Sequence, residues 1–374
     1  MLKEIPCQIF RGGTSKGVFI RREDLPADME EWEPILLKIM GSPDPKQIDG
    51  LGGSFSTTSK VAVIAKAANL DYDITYTFAQ VAVDRASVSF AGNCGNISSA
   101  VGPYAIENNL VEVSDPYTVV RILNTNTNKI LHEIVPTPGG QITYEGDCLI
   151  SGVPTPGARL ELKFLTPGGA VTGRLLPTGH TVDTLDVLGV GRIEMSIVDA
   201  SNPLAFVRAE DIGMRGTELP TEVAGDSALL AKLEKIRGVA AQACGLIADY
   251  RDSLKSPTVP KLTIISRPQD YCTAGGVQVF ASQQTITSRM MSMQKMHNSY
   301  AFTGALCTAA AAAIPGTIVQ EITGSREEIT IGHADGLITA GVQLTDSACE
   351  NEKQILNAYG IRTARKLMAG TAFY

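Results

Sequence analysis

The sequence predicts an α+β protein of two similar domains, built largely of antiparallel strands, with a helix of small residues in the middle of each sheet. Three observations carry this. Short Val/Ile/Thr-rich runs bounded by Gly, Pro and Asn outnumber long helical patterns. At 374 residues the chain exceeds the size at which one core usually stops growing. Its two halves also repeat one another in three places, in the same order. T-S-K-G-V-F-I-R-R-E-D-L-P (14–26) aligns with S-N-P-L-A-F-V-R-A-E-D-I-G (201–213), pairing Phe19 with Phe206 and Arg21 with Arg208 at an offset of 187. T-S-K-V-A-V-I-A-K (58–66) aligns with V-P-K-L-T-I-I-S-R (259–267), pairing Lys60 with Lys261 at an offset of 201. C-G-N-I-S-S-A-V (94–101) aligns with T-G-A-L-C-T-A-A (303–310), pairing Gly95 with Gly304 at an offset of 209. One such match is noise; three in order predict a duplication with modest insertions in the second copy.

The elements follow in chain order. M-L-K-E-I-P-C-Q-I-F-R-G-G lacks the apolar core of a signal peptide and runs directly into a strand pattern. Residues 30–40 place Trp32, Ile35, Leu36, Ile39 and Met40 on one helical face. Strands are predicted over 61–65 and 74–79, and alternation extends a further strand over 81–90. The small apolar run 97–110 reads as a helix, with Asn96 or Ser98 available as its cap. Further strands are expected at 117–123, 129–135, 140–144, 261–265 and 276–281. Amphipathic and small-residue helices are expected at 227–243 and 305–314. The Pro/Gly-rich stretch 154–179 puts the crossing between domains a little beyond it. This gives an N-terminal domain over 1–186 and its duplicate over 187–374, with the helix N-termini facing a cleft between them.

Composition narrows the function classes. Hydrophobic content of 44% and charged content of 19% fit an ordinary soluble globular protein. A net charge of −7 and the lack of any basic run give no footing for a nucleic acid. No apolar stretch reaches the roughly 18 residues of a membrane span. Seven cysteines, odd in number and scattered, form no disulfide framework and point to a reduced, cytoplasmic setting. The spacing of H-E-x-x-H, of paired C-x-x-C and of G-x-S-x-G is missing, which argues against a metal site and a serine hydrolase. R-G-G-T-S-K-G (11–17) lacks P-loop order and G-V-G-R (189–192) lacks the third glycine of a dinucleotide fingerprint. The former reads either as a tight turn or as an anion-binding nest.

Three groups carry chemistry. Cys94, in A-G-N-C-G-N-I-S-S-A-V-G, lies on a strand-to-helix turn, where unpaired N–H groups and a helix dipole favour thiolate and hold carboxylates. A free cysteine is more often a small buried hydrophobe, but the flanking Asn93, Gly95 and Asn96 make a poor core. Lys60 opens an apolar strand beside Ser, Thr and Gly. It is either an ordinary solvated lysine or a partly desolvated amine able to act as a base near neutral pH. His297, in K-M-H-N-S-Y-A-F-T-G, precedes the second small-residue helix and reads equally well as a structural histidine.

These strings carry a resemblance. R-G-G-T-S-K-G, M-G-S-P-D-P-K-Q-I-D-G-L-G-G, T-S-K-V-A-V-I, G-N-C-G-N-I-S-S-A-V-G-P-Y-A-I-E and M-S-M-Q-K-M-H-N-S-Y-A-F-T-G-A-L-C resemble the PrpF / methylitaconate Δ-isomerase family over essentially the whole chain. The resemblance implies the diaminopimelate-epimerase-like fold, with two domains each wrapping a curved sheet around a central helix. It implies isomerases that act without a cofactor on small unsaturated di- or tricarboxylates: 3-methylitaconate Δ-isomerase first, or 2-methylaconitate isomerase and 4-oxalomesaconate tautomerase. It makes Lys60 and Cys94 the acid/base pair. Ser15 and Lys16 in G-T-S-K-G, the turn Asn93, Gly95 and Asn96, and His297, Thr303 and Gly304 of the other domain become substrate contacts. Related epimerases use a cysteine from each domain. Here the second position falls near Thr303, with Cys307 one turn further in, so Lys60 with Cys94 fits better than a pair of thiols.

The chemistry expected is a 1,3-allylic proton shift. Its dienolate charge would be met by the N–H groups of residues 93–96 and 303–305. The rivals are an amino-acid epimerase of the same fold, which needs a thiol facing Cys94, and a non-catalytic anion-binding protein. Symmetric dimers and tetramers are the common default for oligomeric state.

Overall fold

The computed structural model describes residues 2–345 and 354–374. It begins with β1 (Glu4–Gly12), β2 (Ser15–Arg21), α1 (Trp32–Met40), β3 (Lys60–Lys66), β4 (Ile74–Val81) and β5 (Val88–Ser89). Two short helices, α2 (Gly95–Ser98) and α3 (Val101–Glu107), precede β6 (Tyr117–Asn124) and β7 (Lys129–Pro136). Then come β8 (Leu160–Leu165), β9 (Asp183–Val187), β10 (Gly191–Ala200), β11 (Asn202–Arg208), α4 (Pro220–Ala224) and α5 (Ser227–Ala243). β12 (Lys261–Ser266), β13 (Tyr271–Cys272), β14 (Gln278–Val279), β15 (Ile286–Ser292) and β16 (Lys295–Met296) lead to α6 (Phe302–Ala313) and α7 (Ile318–Thr323). β17 (Glu328–His333), β18 (Gly336–Leu344), β19 (Ile355–Arg362) and β20 (Ala364–Phe373) complete the described elements.

The chain divides into two compact units, Met1–Lys163 with Ile361–Tyr374, and Phe164–Gly360. The first crossing lies at 163/164 rather than 186/187, and residues 361–374 return to the first unit. The return is made by β20, which pairs antiparallel with β1 from Glu4↔Phe373 to Gly12↔Ala364. That strand has no counterpart in the sequence repeat, so the repeat alone could not place it.

Each unit, taken by itself, shows the same order of strand pairings. In the first, β1–β2 is antiparallel, β2–β3 parallel, β3–β4 antiparallel, β4–β6 parallel and β6–β7 antiparallel. In the second, β10–β11, β11–β12, β12–β15, β15–β17 and β17–β18 repeat that alternation. The register repeats too: Gly17↔Lys60 in the first unit corresponds to Leu204↔Lys261 in the second, at the sequence offsets of 187 and 201.

Period-two alternation sorts the side chains of the first unit's sheet. Val18, Ile20, Val61, Val63, Ala79 and Val81 pack with Trp32, Leu36, Ile39 and Met40 of α1 on one face. The other face receives α2 and α3, and Phe10, Phe19 and Tyr104 form a ring cluster there with centroids 5.1–6.0 Å apart. In the second unit Leu262, Ile264, Ala205 and Val207 pack with Leu233, Ile236 and Ala240 of α5. The buried helix α6 is rich in alanine.

Local departures from the sequence reading have physical causes. The helix expected over 97–110 is two helices, Gly95–Ser98 and Val101–Glu107, because Pro103 has no N–H to give the Ser99 carbonyl and its ring crowds it. The strand expected over 81–90 is cut by a turn in which the Ala82 N–H bonds the Ser87 carbonyl at 2.9 Å, leaving only Val81, the end of β4, and Val88–Ser89 in strands. Residues 140–144 form no strand, since Gly139 and Gly140 adopt positive φ of 65° and 74°. Of 276–281 only Gln278–Val279 pairs, and α6 starts earlier than expected, at Phe302. The helix over 227–243 matches, capped by Asp226, whose carboxylate accepts the Leu229 N–H at 2.9 Å.

Candidate active site

Lys60 is the first residue of β3 and lies directly opposite Gln80 of β4. Cross-strand partners share a face, and the residues two and four back along β4, Phe78 and Tyr76, share it as well. The Lys60 side chain is only 8% exposed. Its Nζ donates to Gln80 Oε1 and sits 5.1 Å from the centre of the Phe78 ring. The solvated-surface reading of Lys60 is therefore excluded. Burial pulls its pKa below the ordinary lysine value, against a smaller opposing pull from the nearby Cys94 thiol.

Cys94 is half-buried and is itself the N-cap of α2, in extended conformation. Neither Asn96 nor Ser98 caps that helix. Asn96 and Ser98 both lie inside the turn, and Ser98 spends its hydroxyl on the Cys94 carbonyl at 3.1 Å and on Asn93 Oδ1 at 3.2 Å. With four residues, α2 carries no long macrodipole. Cys94 instead lies near two basic side chains, Lys60 and Arg362, and raises the pKa of each against their burial. Tyr76 is fully buried behind the thiol, and burial first, then the Cys94 charge, hold its hydroxyl well above the usual phenol range. Ser98 is also within electrostatic range, yet no hydrogen bond of ordinary geometry reaches the Tyr76 oxygen.

The turn between β1 and β2 closes over α2. Gly12 is obligatory, since a Cβ there would stand 2.3 Å from the Asn96 carbonyl oxygen. Gly13 takes φ of +49° with Asn96 Oδ1 where its Cβ would be. Asn96 is the clasp. Its Nδ2 donates to Thr14 Oγ1 at 3.0 Å, and its Oδ1 accepts from Arg362 Nε at 3.0 Å. Arg362 is 5% exposed, and burial pushes its guanidinium down to about 9, against smaller opposing effects from Cys148 and Cys94. Ser15 is buried opposite Gly12, and Lys16 is half-buried with its backbone N–H on the Thr57 carbonyl at 2.9 Å.

The first unit thus brings together Lys60, Cys94, Asn93, Gly95, Asn96 and the turn leading to Ser15 and Lys16. The remaining predicted residues belong to the second unit. His297 donates its backbone N–H to the Met290 carbonyl at 2.8 Å, and its Nδ1 accepts the Ser299 N–H at 3.1 Å. Thr303 and Gly304 form the buried first turn of α6, with the Met290 methyl packed where a Gly304 Cβ would be. Cys307 is fully buried, its Sγ 3.2 Å from the Val198 carbonyl, and burial drives its thiol far above the ordinary cysteine value. It is a structural residue, not a second acid or base. Among the described residues all six cysteines are free, Cys349 lying outside them, and no group of three His, Cys, Asp or Glu is arranged to hold a metal. Among the described residues no helix is long and apolar enough to cross a membrane.

Sequence reading missed Gln80, Phe78, Tyr76 and Arg362. The first three alternate in I-T-Y-T-F-A-Q-V, so their common face was visible, but the register setting Gln80 against Lys60 was not. Arg362 reaches Asn96 across 266 residues of sequence, and no local signal marks it.

An amine kept from water near a thiol is able to move a proton, and the arginine alongside suits an anionic substrate. A family model described as PrpF protein matches residues 2–374. The chain is 43% identical to the 3-methylitaconate isomerase of Eubacterium barkeri, covering 99% of this chain and 97% of the relative. It is 36% identical to the 2-methyl-aconitate isomerase of Shewanella oneidensis, covering 98% and 96%. A crystal structure of methylitaconate-delta-isomerase superposes with a TM-score of 0.81 at 42% identity, covering 100% of this chain and 96% of the other. A hydroxyproline epimerase from Agrobacterium vitis, 10% identical, shares the fold with a TM-score of 0.56 over 99% of this chain and 92% of its own. The chain belongs to the PrpF family.

Proposed function

We propose that this protein, a member of a family with characterised isomerases, catalyses a 1,3-allylic proton shift on a small unsaturated di- or tricarboxylate, with 3-methylitaconate the first candidate. The single observation behind this reading is the buried Lys60 amine, fixed by Gln80, with Cys94 near enough to oppose the effect of that burial on its pKa. Lys60, in its neutral form, takes the proton from the carbon next to the carboxylate. The C–H electron pair moves into the allyl system and onto the carboxylate oxygens. Cys94 returns a proton at the far carbon, and the Lys60 ammonium then reprotonates the thiolate, closing the cycle with no gain or loss of electrons. Arg362 and the first N–H groups of α2, which have no acceptor within their own helix, offer the positive charge that the dienolate needs.

Every step uses groups of the chain, so the cycle calls for no cofactor; exhaustive dialysis against a chelator should leave turnover unchanged. The second unit's His297, Thr303 and Gly304 keep their proposed role in substrate binding. His297→Gln is expected to raise KM more than it lowers kcat. The amino-acid epimerase reading is disfavoured by the buried Cys307 and by Thr303 at the matching position. The cytoplasmic location and a homo-oligomeric state are further proposals, read by fractionation and by light scattering. The direct test of function is turnover on methylitaconate, methylaconitate and oxalomesaconate, followed by NMR in deuterated water. Solvent deuterium appearing at an allylic carbon of one of these acids supports the reading. Deuterium at the α-carbon of an amino acid, or in no substrate, contradicts it.

A further inference from the structure

Gln80 is buried, and its amide orientation is dictated by its surroundings. Nε2 lies 2.9 Å from the Ser59 carbonyl, 3.1 Å from that of Ser56 and 3.4 Å from that of Val81. Three acceptors on one side leave no room for the opposite flip, so Oε1 must face outward, toward Lys60 Nζ. The strand register sets the two side chains opposite each other, and the loop carbonyls lock one of them. Resting on the reading of Lys60 as the base, we propose that Gln80 is a positioning residue: it holds the Lys60 amine by one N–H, as a neutral acceptor, and aims the remaining valences toward Cys94 and the substrate.

The neutrality matters. A carboxylate at this place would form a buried ion pair and keep Lys60 as an ammonium, useless as a base. An apolar side chain would leave the amine without its fixed partner and free to rotate. The titratable groups on this face besides Lys60 are Cys94 at the α2 N-cap and Tyr76 on β4, with Arg362 of β19 near Cys94. Phe78 contributes only its ring. Gln80 is therefore the group through which the charge state of Lys60 can be changed without touching the thiol.

The test reads Lys60 directly. Cyanate carbamoylates only neutral amines, so the pH midpoint of modification at Lys60, followed by mass spectrometry of its peptide, reports the Lys60 pKa without any substrate. Gln80→Glu is expected to move that midpoint up by about one to three pH units. Gln80→Met is expected to move it down by about one unit, because the ammonium loses a charge-assisted hydrogen bond. In turnover, Gln80→Met is expected to lower kcat about ten- to a hundredfold with KM changed less than about threefold. If Gln80→Glu fails to fold, the Met variant still decides. Midpoints equal to wild type in the folded variants overturn the proposal. Should the midpoints shift while the acid limb of kcat/KM stays fixed, Gln80 does hold Lys60 but Lys60 is not the base, so the two failures are distinguishable.

Discussion

The thiol is carried by a helix of one turn, which cannot hold itself in place. The structure assigns that task to Asn96, and a double-mutant cycle with Arg362 measures it. Asn96→Ala deletes the 3.0 Å bond to Thr14 and the 3.0 Å bond from the Arg362 guanidinium. A neutral hydrogen bond contributes about 0.5–1.5 kcal/mol and one to a charged group about 1.5–3 kcal/mol. The expected loss is therefore about 2–4.5 kcal/mol, in a residue 4% exposed. Arg362→Met removes the charged bond from the other side. The double variant should be less destabilised than the sum of the singles by about 1.5–3 kcal/mol. The assay is urea unfolding followed by fluorescence of Trp32, the single tryptophan, which is buried in the core of the same unit. Its signal thus reports the unit that carries the mutations, even if the other unit melts separately. Additive single effects would refute the clasp. So would an Asn96→Ala variant of wild-type stability.

Further outcomes follow from the same geometry. Because burial lowers the Lys60 pKa and the neutral amine is the working form, kcat/KM should rise with pH to a plateau through a value below the ordinary lysine 10.5. Gly13→Ala should destabilise the first unit by about 1–3 kcal/mol and depress kcat/KM, since φ of +49° and contact with Asn96 Oδ1 are both incompatible with a methyl group. In native protein, iodoacetamide should modify Cys94 and spare Cys307, and Cys307→Ala should retain turnover while costing stability, as melting curves would show. Glu133 is fully buried, one oxygen accepting the Gly102 N–H at 2.7 Å, and burial pushes its carboxyl up to about 8. The folded state then binds a proton that the unfolded chain has released. Stability should therefore fall as pH rises from about 4.5 to about 8, by up to about 1.36 kcal/mol per unit, and Glu133→Gln should flatten that fall.

Much of this molecule is written locally. The alternation of K-V-A-V-I-A-K and I-T-Y-T-F-A-Q-V defines β3 and β4, and the repeat at Phe19/Phe206 and Lys60/Lys261 corresponds to equivalent strands in equivalent register. The family strings single out Lys60 and Cys94. What stayed hidden depends on pairing at a distance. Gln80 acquires its meaning only when the β3–β4 register puts it opposite Lys60. Arg362 acquires its own only when the chain's end returns to the first unit through β20. Pro103 was visible, but the apolar run that continues past it through Tyr104, Ala105 and Ile106 read as one helix.

The central claim is that the buried Lys60 amine moves the proton. It is tested most directly by single-turnover NMR in deuterated water with methylitaconate, comparing wild type with Lys60→Met and Cys94→Ala. Deuterium uptake at the allylic carbon is expected in the wild type and none above background in Lys60→Met. In Cys94→Ala, deprotonation by Lys60 survives as slow exchange at the carbon next to the carboxylate, without conversion to product. Exchange at the wild-type rate in a folded Lys60→Met would contradict it.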